Sequence, residues 1–255
     1  MDRDPTQRFS TRVDNYVKYR PGYPPALLAL LERECGLTPL AVIADIGAGT
    51  GLLAALFLAY GSRVLGVEPN RAMREAGARL LAPHPGYTAV DGRAEATTLP
   101  ARSVDFVTAG QAFHWFDPAA ARAEFQRILR PGGWVALIWN QRRTESSAFL
   151  AGYEALLQTY APEYPVHEPG AGAAGMRALF GAGGWQVAHF PNAQHLDRDG
   201  LQGRVLSSSY VPEPGHPNHA PMLAALADLF AAHEVDGQVT FEYDTEVYYG
   251  RLPGA

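Results

Sequence analysis

The strongest indication of the fold of this 255-residue chain is the stretch Ala41-Val-Ile-Ala-Asp-Ile-Gly-Ala-Gly-Thr-Gly51. Its first half is apolar except for Asp45, which is typical of a strand that is buried on both faces of a parallel sheet. Gly47, Gly49 and Gly51 follow at once, and glycines let the backbone turn sharply and approach a ligand closely. The helical pattern after them would direct free N–H groups and a partial positive charge at that ligand. The stretch therefore predicts a strand, a ligand-binding loop and a helix in succession.

Apolar runs alternate with helical patterns through the middle of the chain, which favours a parallel sheet with helices on both faces. Strands are predicted at 41–46, 63–67, 87–90, 104–109 and 134–139, helices at 52–60, 71–81 and 119–129, and a turn at 130–133. After residue 140, the patterns predict helices at 146–160 and 223–233, a loop at 165–175, and an antiparallel strand pair at 185–190 and 239–249. The order of elements indicates an α/β fold.

The composition excludes several classes of protein. Hydrophobic residues make up 47% of the chain, enough for a buried core, so disorder is not expected. The net charge is -5 and no basic stripe is present, which argues against a nucleic-acid partner. The apolar run Leu52–Tyr60 is about half of the roughly 20 residues that a membrane span needs, and the charged N-terminus lacks a signal-peptide core. We therefore expect a cytoplasmic protein that does not contact a membrane.

The metal-binding residue types give no metal site. Cys35 is the single cysteine, so a disulfide within the chain and a cysteine-based zinc site are both excluded. His216 and His219 are separated by Pro217 and lack a carboxylate at matching spacing, so a solvated loop is the better interpretation. No metal is predicted.

Glu68 ends the second predicted strand. A carboxylate at that position can accept hydrogen bonds from both hydroxyls of an unphosphorylated ribose, and it would repel a 2′-phosphate. The dinucleotide fingerprint requires its third glycine where this chain has Leu52, so the loop spacing disfavours a pyrophosphate ligand. The alternative for Glu68 is a solvated surface acid.

Five segments together resemble the class I S-adenosylmethionine-dependent methyltransferases, in particular the small-molecule (type 11 and trans-aconitate methyltransferase-like) group. These segments are ADIGAGTG (44–51), GVEPNRAM (66–73), AEATTLP (94–100), SVDFVTAGQAFHWFD (103–117) and RILRPGGWVALIWN (127–140). The resemblance implies a Rossmann-like, doubly wound, seven-stranded sheet, mostly parallel with an antiparallel C-terminal strand, plus a helical cap. It implies a single methyltransferase domain over 1–255: an N-terminal helical cap (1–40), a cofactor-binding core (41–140), a helical and loop insertion (141–183), and C-terminal antiparallel strands with a helix (184–255).

The resemblance also implies a cofactor, S-adenosylmethionine, with S-adenosylhomocysteine as product. The residues expected beside its methionine end are Asp45, Gly47, Ala48, Gly49, Ala109 and Gln111. Those expected beside its ribose and adenine are Glu68, Pro69, Met73, Ala94 and Glu95. Tyr16 and Arg20 would lie in an N-terminal segment that folds over the cofactor, where Arg20 would pair with the cofactor carboxylate or with an acidic substrate.

Some of these positions have structural alternatives. Asp45 is alternatively a strand-end cap, Met73 core filler and Gln111 a loop polar group. Arg93 departs from the pattern of many relatives, which carry there an acid that accepts a hydrogen bond from the adenine amine, because a guanidinium cannot accept one. His114 is the best-placed general base, with a substrate or cofactor contact and a purely structural role as alternatives.

The function implied is transfer of a methyl group to a small-molecule acceptor (a carboxylate, hydroxyl or amine) by in-line displacement, which needs no covalent nucleophile on the protein. The alternatives are a protein that binds the cofactor without transfer and, less favoured by the loop spacing, an NAD-dependent oxidoreductase. Residues 140–143 do not match the signature of amino methyltransferases that act on nucleobases. The acceptor and the oligomeric state are left open.

Overall fold

The computed structural model describes residues 17–164 and 172–254. Seven strands of this part of the chain form one sheet in the order β3-β2-β1-β4-β5-β7-β6. They are β1 (Val42–Ile46), β2 (Arg63–Val67), β3 (Tyr87–Val90), β4 (Val104–Gly110), β5 (Leu129–Arg142), β6 (Trp185–Leu196) and β7 (Val239–Gly250). The order reverses between β1 and β4, the kind of point at which open α/β sheets bind ligands beyond the carboxyl ends of their strands.

The strands from β3 to β5 pair in parallel, whereas β7 runs antiparallel to both β5 and β6. Asp45 in β1 lies between Gly66 of β2 and Thr108 of β4, so the middle of the sheet is held from both sides. The predicted doubly wound sheet, mostly parallel with an antiparallel C-terminal strand, is confirmed.

The helices of the described residues lie between the strands in sequence. They are α1 (Ala26–Cys35), α2 (Leu52–Tyr60), α3 (Arg71–Leu80), α4 (Pro118–Ile128), α5 (Ala148–Tyr160), α6 (Gly172–Phe180), α7 (Arg198–Leu206) and α8 (His219–His233). Polar side chains cap several N-termini: Asn70 accepts from Met73 N–H at α3, and Asp117 from two N–H groups at α4. None of the helices described here is long and apolar enough to cross a membrane.

Apart from the later end of β6 and the earlier start of α8, three elements differ from the sequence predictions. The turn at 130–133 lies inside β5, where these residues bulge opposite the register shift between Val104 and Phe106 of β4. The predicted loop at 165–175 is replaced from Gly172 onward by α6, and its first part lies outside the described residues. Helix α7 was missed because its sequence, RDGLQGRVL, is polar and contains two glycines.

The core has three parts. Alternate residues of the central strands point into two of them, one against α4 and α6 and the other against α1 and α2. The third part joins α5, α7 and α8 to the start of β7, and its largest buried side chains include Tyr153, Phe241 and Tyr243. Arg142, the last residue of β5, pairs with Tyr243 of β7 across the sheet. Because Tyr243 belongs to the third cluster, that cluster lies at the carboxyl end of β5.

Candidate functional site

The glycine loop after β1 is held against the end of β2. The N–H groups of Gly47 and Ala48 both donate to the Val67 carbonyl oxygen, at 2.9 and 3.1 Å. Gly47 has a φ of 67°, and a Cβ added there would lie 2.6 Å from the Ala112 Cβ. Because a side chain at Gly47 would be both strained and in collision, the tight loop requires glycine at this position.

Glu68 meets the loop directly. Its Oε2 accepts a hydrogen bond from Gly49 N–H at 2.9 Å, and its Oε1 accepts one from Asn70 N–H at 2.8 Å. The side chain is buried, which raises the pKa of its carboxyl group, while the hydrogen bonds from Asn70 and Gly49 oppose that shift. The structure therefore brings together the loop and the acid that the sequence singled out on successive strands.

Asp45 lies beneath the loop and is almost completely buried, with 1% of its surface exposed. Its Oδ1 accepts from the Thr108 hydroxyl at 3.0 Å, and its Oδ2 is buried without a hydrogen bond of normal geometry. Burial, followed by the negative charge of Glu68, raises the pKa of Asp45 to about 7 despite the hydrogen bond from Thr108. Asp45 is therefore an internal carboxyl that joins β1 to β4 under the loop, as an anchor for the loop would.

The residues expected near an adenine follow Glu68 in the chain. Met73 is buried, and its Cε is the nearest atom, at 3.4 Å, to a Cβ added at Gly49. Pro69 precedes α3, and its carbonyl oxygen accepts from Arg74. Ala94 is buried, whereas the Glu95 carboxylate accepts a hydrogen bond from Asp117 N–H at 2.9 Å.

Arg93 does not replace the missing acid of the resemblance. Its backbone forms a bridge with Ala96, and its side chain is exposed. The Glu95 carboxylate is tied to the start of α4. Arg93 therefore supplies no acid for an adenine amine, and the Glu95 carboxylate is hydrogen-bonded to Asp117 N–H instead.

The end of β4 places the next predicted residues. Ala109 is fully buried, and Gln111 has a φ of 56°. The Gln111 side chain donates to the Asn140 carbonyl oxygen at 3.0 Å, which links the ends of β4 and β5. His114 lies on a short 3₁₀ turn just beyond, exposed, with its ring 4.8 Å from that of Trp115. These residues share the carboxyl edge of the sheet, and their roles stay predictions.

Residues 17–24 run across this same edge. The Tyr23 hydroxyl lies against Gly110, and Arg20 donates to the Ser207 carbonyl oxygen at 3.0 Å, at the end of α7. Arg20 thus lies on the α7 side of the edge. Tyr16 lies outside the described residues, so its predicted cofactor contact is not tested.

A buried amide network fixes this segment, and sequence reasoning did not foresee it. The Asn140 side chain donates to the Gly22 carbonyl oxygen at 3.1 Å, and its Oδ1 accepts from Asn192 at 3.1 Å and from the Thr245 hydroxyl at 2.6 Å. Asn192 also donates to Gly22. The sequence indicates this network only by Asn140, an amide directly after the apolar residues of β5. Its partners Gly22, Asn192 and Thr245 are all distant from it in the chain.

Residues 17–164 and 172–254 contain no group of three or more histidine, cysteine, aspartate or glutamate side chains placed to hold an ion. The site consists of the glycine loop, a buried acid directly after β2 and small residues at the carboxyl edge. That combination is suited to an uncharged or cationic ligand with hydroxyl groups.

Comparison with known proteins indicates the family of residues 44–137. Residues 44–137 match the model of the methyltransferase domain family. The chain contains a methyltransferase domain. An uncharacterized methyltransferase of Mycobacterium tuberculosis is 40% identical over 142 residues, which is 55% of each chain. Another, from Schizosaccharomyces pombe, is 35% identical over 135 residues, 52% of this chain and 53% of its own. The chain spans about half the length of these curated relatives.

Solved structures extend the match of the methyltransferase domain to the whole fold. A protein assigned as a type II methyltransferase from Anaeromyxobacter dehalogenans is 26% identical, with a TM-score of 0.71 over 92% of this chain and 99% of its own. Phosphoethanolamine N-methyltransferase 2 of Haemonchus contortus, 15% identical, shares the fold with a TM-score of 0.53 over 96% of this chain and 57% of its own. The family expected from the resemblance is confirmed for the methyltransferase domain.

Proposed function

We propose that this protein binds S-adenosylmethionine and transfers its methyl group to a small-molecule acceptor. The observation that carries the proposal is the hydrogen bond from Gly49 N–H to the Glu68 carboxylate. It joins the glycine loop of the methyltransferase domain to the acid expected to bind a ribose, at the reversal of strand order between β1 and β4.

The Glu68 carboxylate has the capacity that this ligand requires. An ionised carboxyl group offers about four acceptor positions, and the N–H groups of Gly49 and Asn70 use two of them. The remaining positions suit the two hydroxyls of an unphosphorylated ribose. The H. contortus enzyme that shares the fold was determined with S-adenosylhomocysteine, which supports the same class of ligand here.

When bound, S-adenosylmethionine supplies a methyl group that its sulfonium already activates, so the chain needs no covalent nucleophile. The protein's contribution is to hold the acceptor in line and exclude water, and such positioning lowers a barrier by about 7–11 kcal/mol. Residues 17–24, held by Asn140 and Asn192, cover the carboxyl edge as a water-excluding wall would.

His114 is the residue we propose as general base for an acceptor that carries a proton. It follows β4 at the carboxyl edge, and a general base contributes about 10²–10⁴-fold to a rate. An acceptor that is already a carboxylate requires no base. The dependence of the rate on His114→Gln for each acceptor separates these cases.

Calorimetry tests the cofactor. We expect heat of association with S-adenosylmethionine and S-adenosylhomocysteine and none with NAD. Heat with NAD alone would favour the oxidoreductase and contradict the proposal. Transfer is tested with labelled S-adenosylmethionine against small acids, phenols and amines, where label in an acceptor is the expected result. Cofactor binding with no labelled acceptor in that panel would favour a binding protein without transfer.

A further inference from the structure

A second polar cluster lies beyond the carboxyl end of β5, and Arg204 on α7 is at its centre. Arg204 is 7% exposed, and its hydrogen bonds are long: 3.4 Å to the Tyr243 hydroxyl and 3.4 Å to the Ser208 hydroxyl. Its guanidinium lies 5.8 Å from the centre of the Phe241 ring. No carboxylate of the described residues forms an ion pair with Arg204, so a permanent positive charge is buried without a counter-ion.

Arg142, the last residue of β5, adds a second guanidinium to the cluster. Its Nη2 pairs with Glu154 and donates to the Tyr164 hydroxyl at 3.0 Å, and the group lies 4.6 Å from the centre of the Tyr153 ring. The Arg142 Nη1 is buried without a hydrogen-bond partner in the described part of the chain. Glu154 thus pairs with one of the two guanidinium groups, that of Arg142.

Tyr153 contributes an unused hydroxyl. The side chain is 1% exposed, and its hydroxyl is buried without a hydrogen-bond partner among residues 17–164 and 172–254. Burial raises the pKa of Tyr153 to about 12, so the hydroxyl keeps its proton at neutral pH and can donate. A buried polar group without a partner costs free energy, and a ligand that supplies an acceptor removes that cost.

The cluster is continuous with the cofactor edge of the sheet. The Ser208 hydroxyl accepts from Arg204 and also lies 3.5 Å from Nη2 of Arg20. From Arg20 the chain continues through Gly22, which Asn140 holds, to Tyr23 against Gly110 at the end of β4. Hydrogen bonds through Arg20 and Ser208 therefore join the cofactor edge to the cluster around Arg204.

We propose that Arg204, Arg142 and Tyr153 bind a carboxylate group of the methyl acceptor, an inference that rests on the proposed function. Arg204 forms no ion pair with a carboxylate of the described residues, and the Arg142 Nη1 and the Tyr153 hydroxyl have no hydrogen-bond partner there, so an anionic group of the acceptor would complete the hydrogen bonds of the cluster. Guanidinium groups bind carboxylates through paired, charge-assisted hydrogen bonds, and the Tyr153 hydroxyl supplies a further donor.

The test measures the unfolding temperature with saturating S-adenosylhomocysteine, in the presence of succinate, benzoate, their neutral amides succinamide and benzamide, or inorganic phosphate. A ligand that binds only the folded protein raises this temperature. For the unaltered chain we expect a rise with at least one carboxylate and none with its amide. We expect Arg204→Met to weaken that carboxylate about tenfold or more.

Matched variants separate binding from folding. Arg143→Met removes the arginine that directly follows β5, which is exposed and paired with Asp244 at 2.6 Å, and should leave carboxylate binding unchanged. Tyr153→Phe removes only the unused hydroxyl, so it should fold and still weaken carboxylate binding. Without carboxylate, Arg204→Met should be at least as stable as the unaltered chain, because it removes a buried charge that has no counter-ion in the described part of the chain.

Calorimetry with S-adenosylhomocysteine on the same samples separates the two proposals. If that heat is present and no carboxylate raises the unfolding temperature, the carboxylate site is wrong and the cofactor proposal stands. If Arg204→Met and Tyr153→Phe both keep full carboxylate affinity, the site is also wrong. Phosphate that stabilises more than any carboxylate, and depends on Arg204, would overturn the assignment to a carboxylate. Absence of S-adenosylhomocysteine heat would contradict the proposed function itself.

Discussion

Replacing Asp45 with asparagine should make the protein more stable at neutral pH, because the buried carboxyl group resists ionisation. Its pKa is raised to about 7 in the folded protein from a usual value of 3.8, first by burial and then by the charge of Glu68. Asparagine has nearly the same shape and can still accept the hydrogen bond from the Thr108 hydroxyl. It carries no charge at any pH.

The size of the effect follows from proton linkage. A carboxyl group whose pKa is higher in the folded state contributes its full stability below the unfolded value and loses it as pH rises to the folded value. From 3.8 to about 7 is roughly 3 units, and each unit corresponds to about 1.4 kcal/mol, so the upper limit is about 4 kcal/mol. The loss should occur between about pH 4 and pH 7 and be complete above it.

The assay is urea unfolding of both proteins at intervals from pH 4 to pH 8. We expect the free energy of unfolding of Asp45→Asn, minus that of the unaltered chain, to rise across this range by a large part of 4 kcal/mol. Asp228→Asn, an exposed carboxylate on α8, controls for the change in net charge. A difference for Asp45→Asn that stays constant with pH would show that burial does not raise the pKa of Asp45.

Two further variants test the loop and the ion pair between Glu124 and Arg127. Gly47→Ala should cost about 1–3 kcal/mol and remove S-adenosylhomocysteine heat, whereas Gly132→Ala, at a φ of 79° but in open space, should spare that heat. Retained binding in Gly47→Ala would contradict the tight loop. Burial of Glu124 opposes ionisation, but hydrogen bonds from Arg127 and Thr97 lower its pKa to about 2. Glu124→Gln should therefore cost about 1–3 kcal/mol at pH 7 in urea unfolding, and the difference should fade as pH falls from 4.5 toward 2, a pattern that a structurally idle Glu124 would not give.

The sequence predicted the elements whose burial is decided locally. Helix α2 and strand β2 begin and end where the apolar runs at 52–60 and 63–67 do, because β2 is buried on both faces and α2 buries a full apolar stripe. Glu68 and the glycine loop were predicted together for the same reason: parallel strands bring their carboxyl ends to one edge.

The remaining features depend on contacts between distant residues. Helix α7 has a polar sequence, and its Gly203 is needed because the Tyr19 ring lies directly against it. Arg204 reads as an ordinary surface arginine until α5 and β7 enclose it. The Asn140–Asn192 hydrogen bond joins residues that no local pattern relates. Such contacts are set by tertiary packing, which periodicity does not report.

Cofactor binding by Glu68 is tested most directly by calorimetry, which measures the affinity of S-adenosylhomocysteine for the unaltered chain and for Glu68→Gln. Glutamine keeps the shape but loses the charge, and charge-assisted hydrogen bonds contribute about 1.5–3 kcal/mol, so we expect affinity to fall by about tenfold to a hundredfold. Glu75→Gln is the matched control: Glu75 is exposed on α3 and paired with Arg71 at 2.7 Å, so this variant should bind as the unaltered chain does. Equal affinity in all three proteins, or no heat in any, would contradict the proposal that Glu68 binds the cofactor.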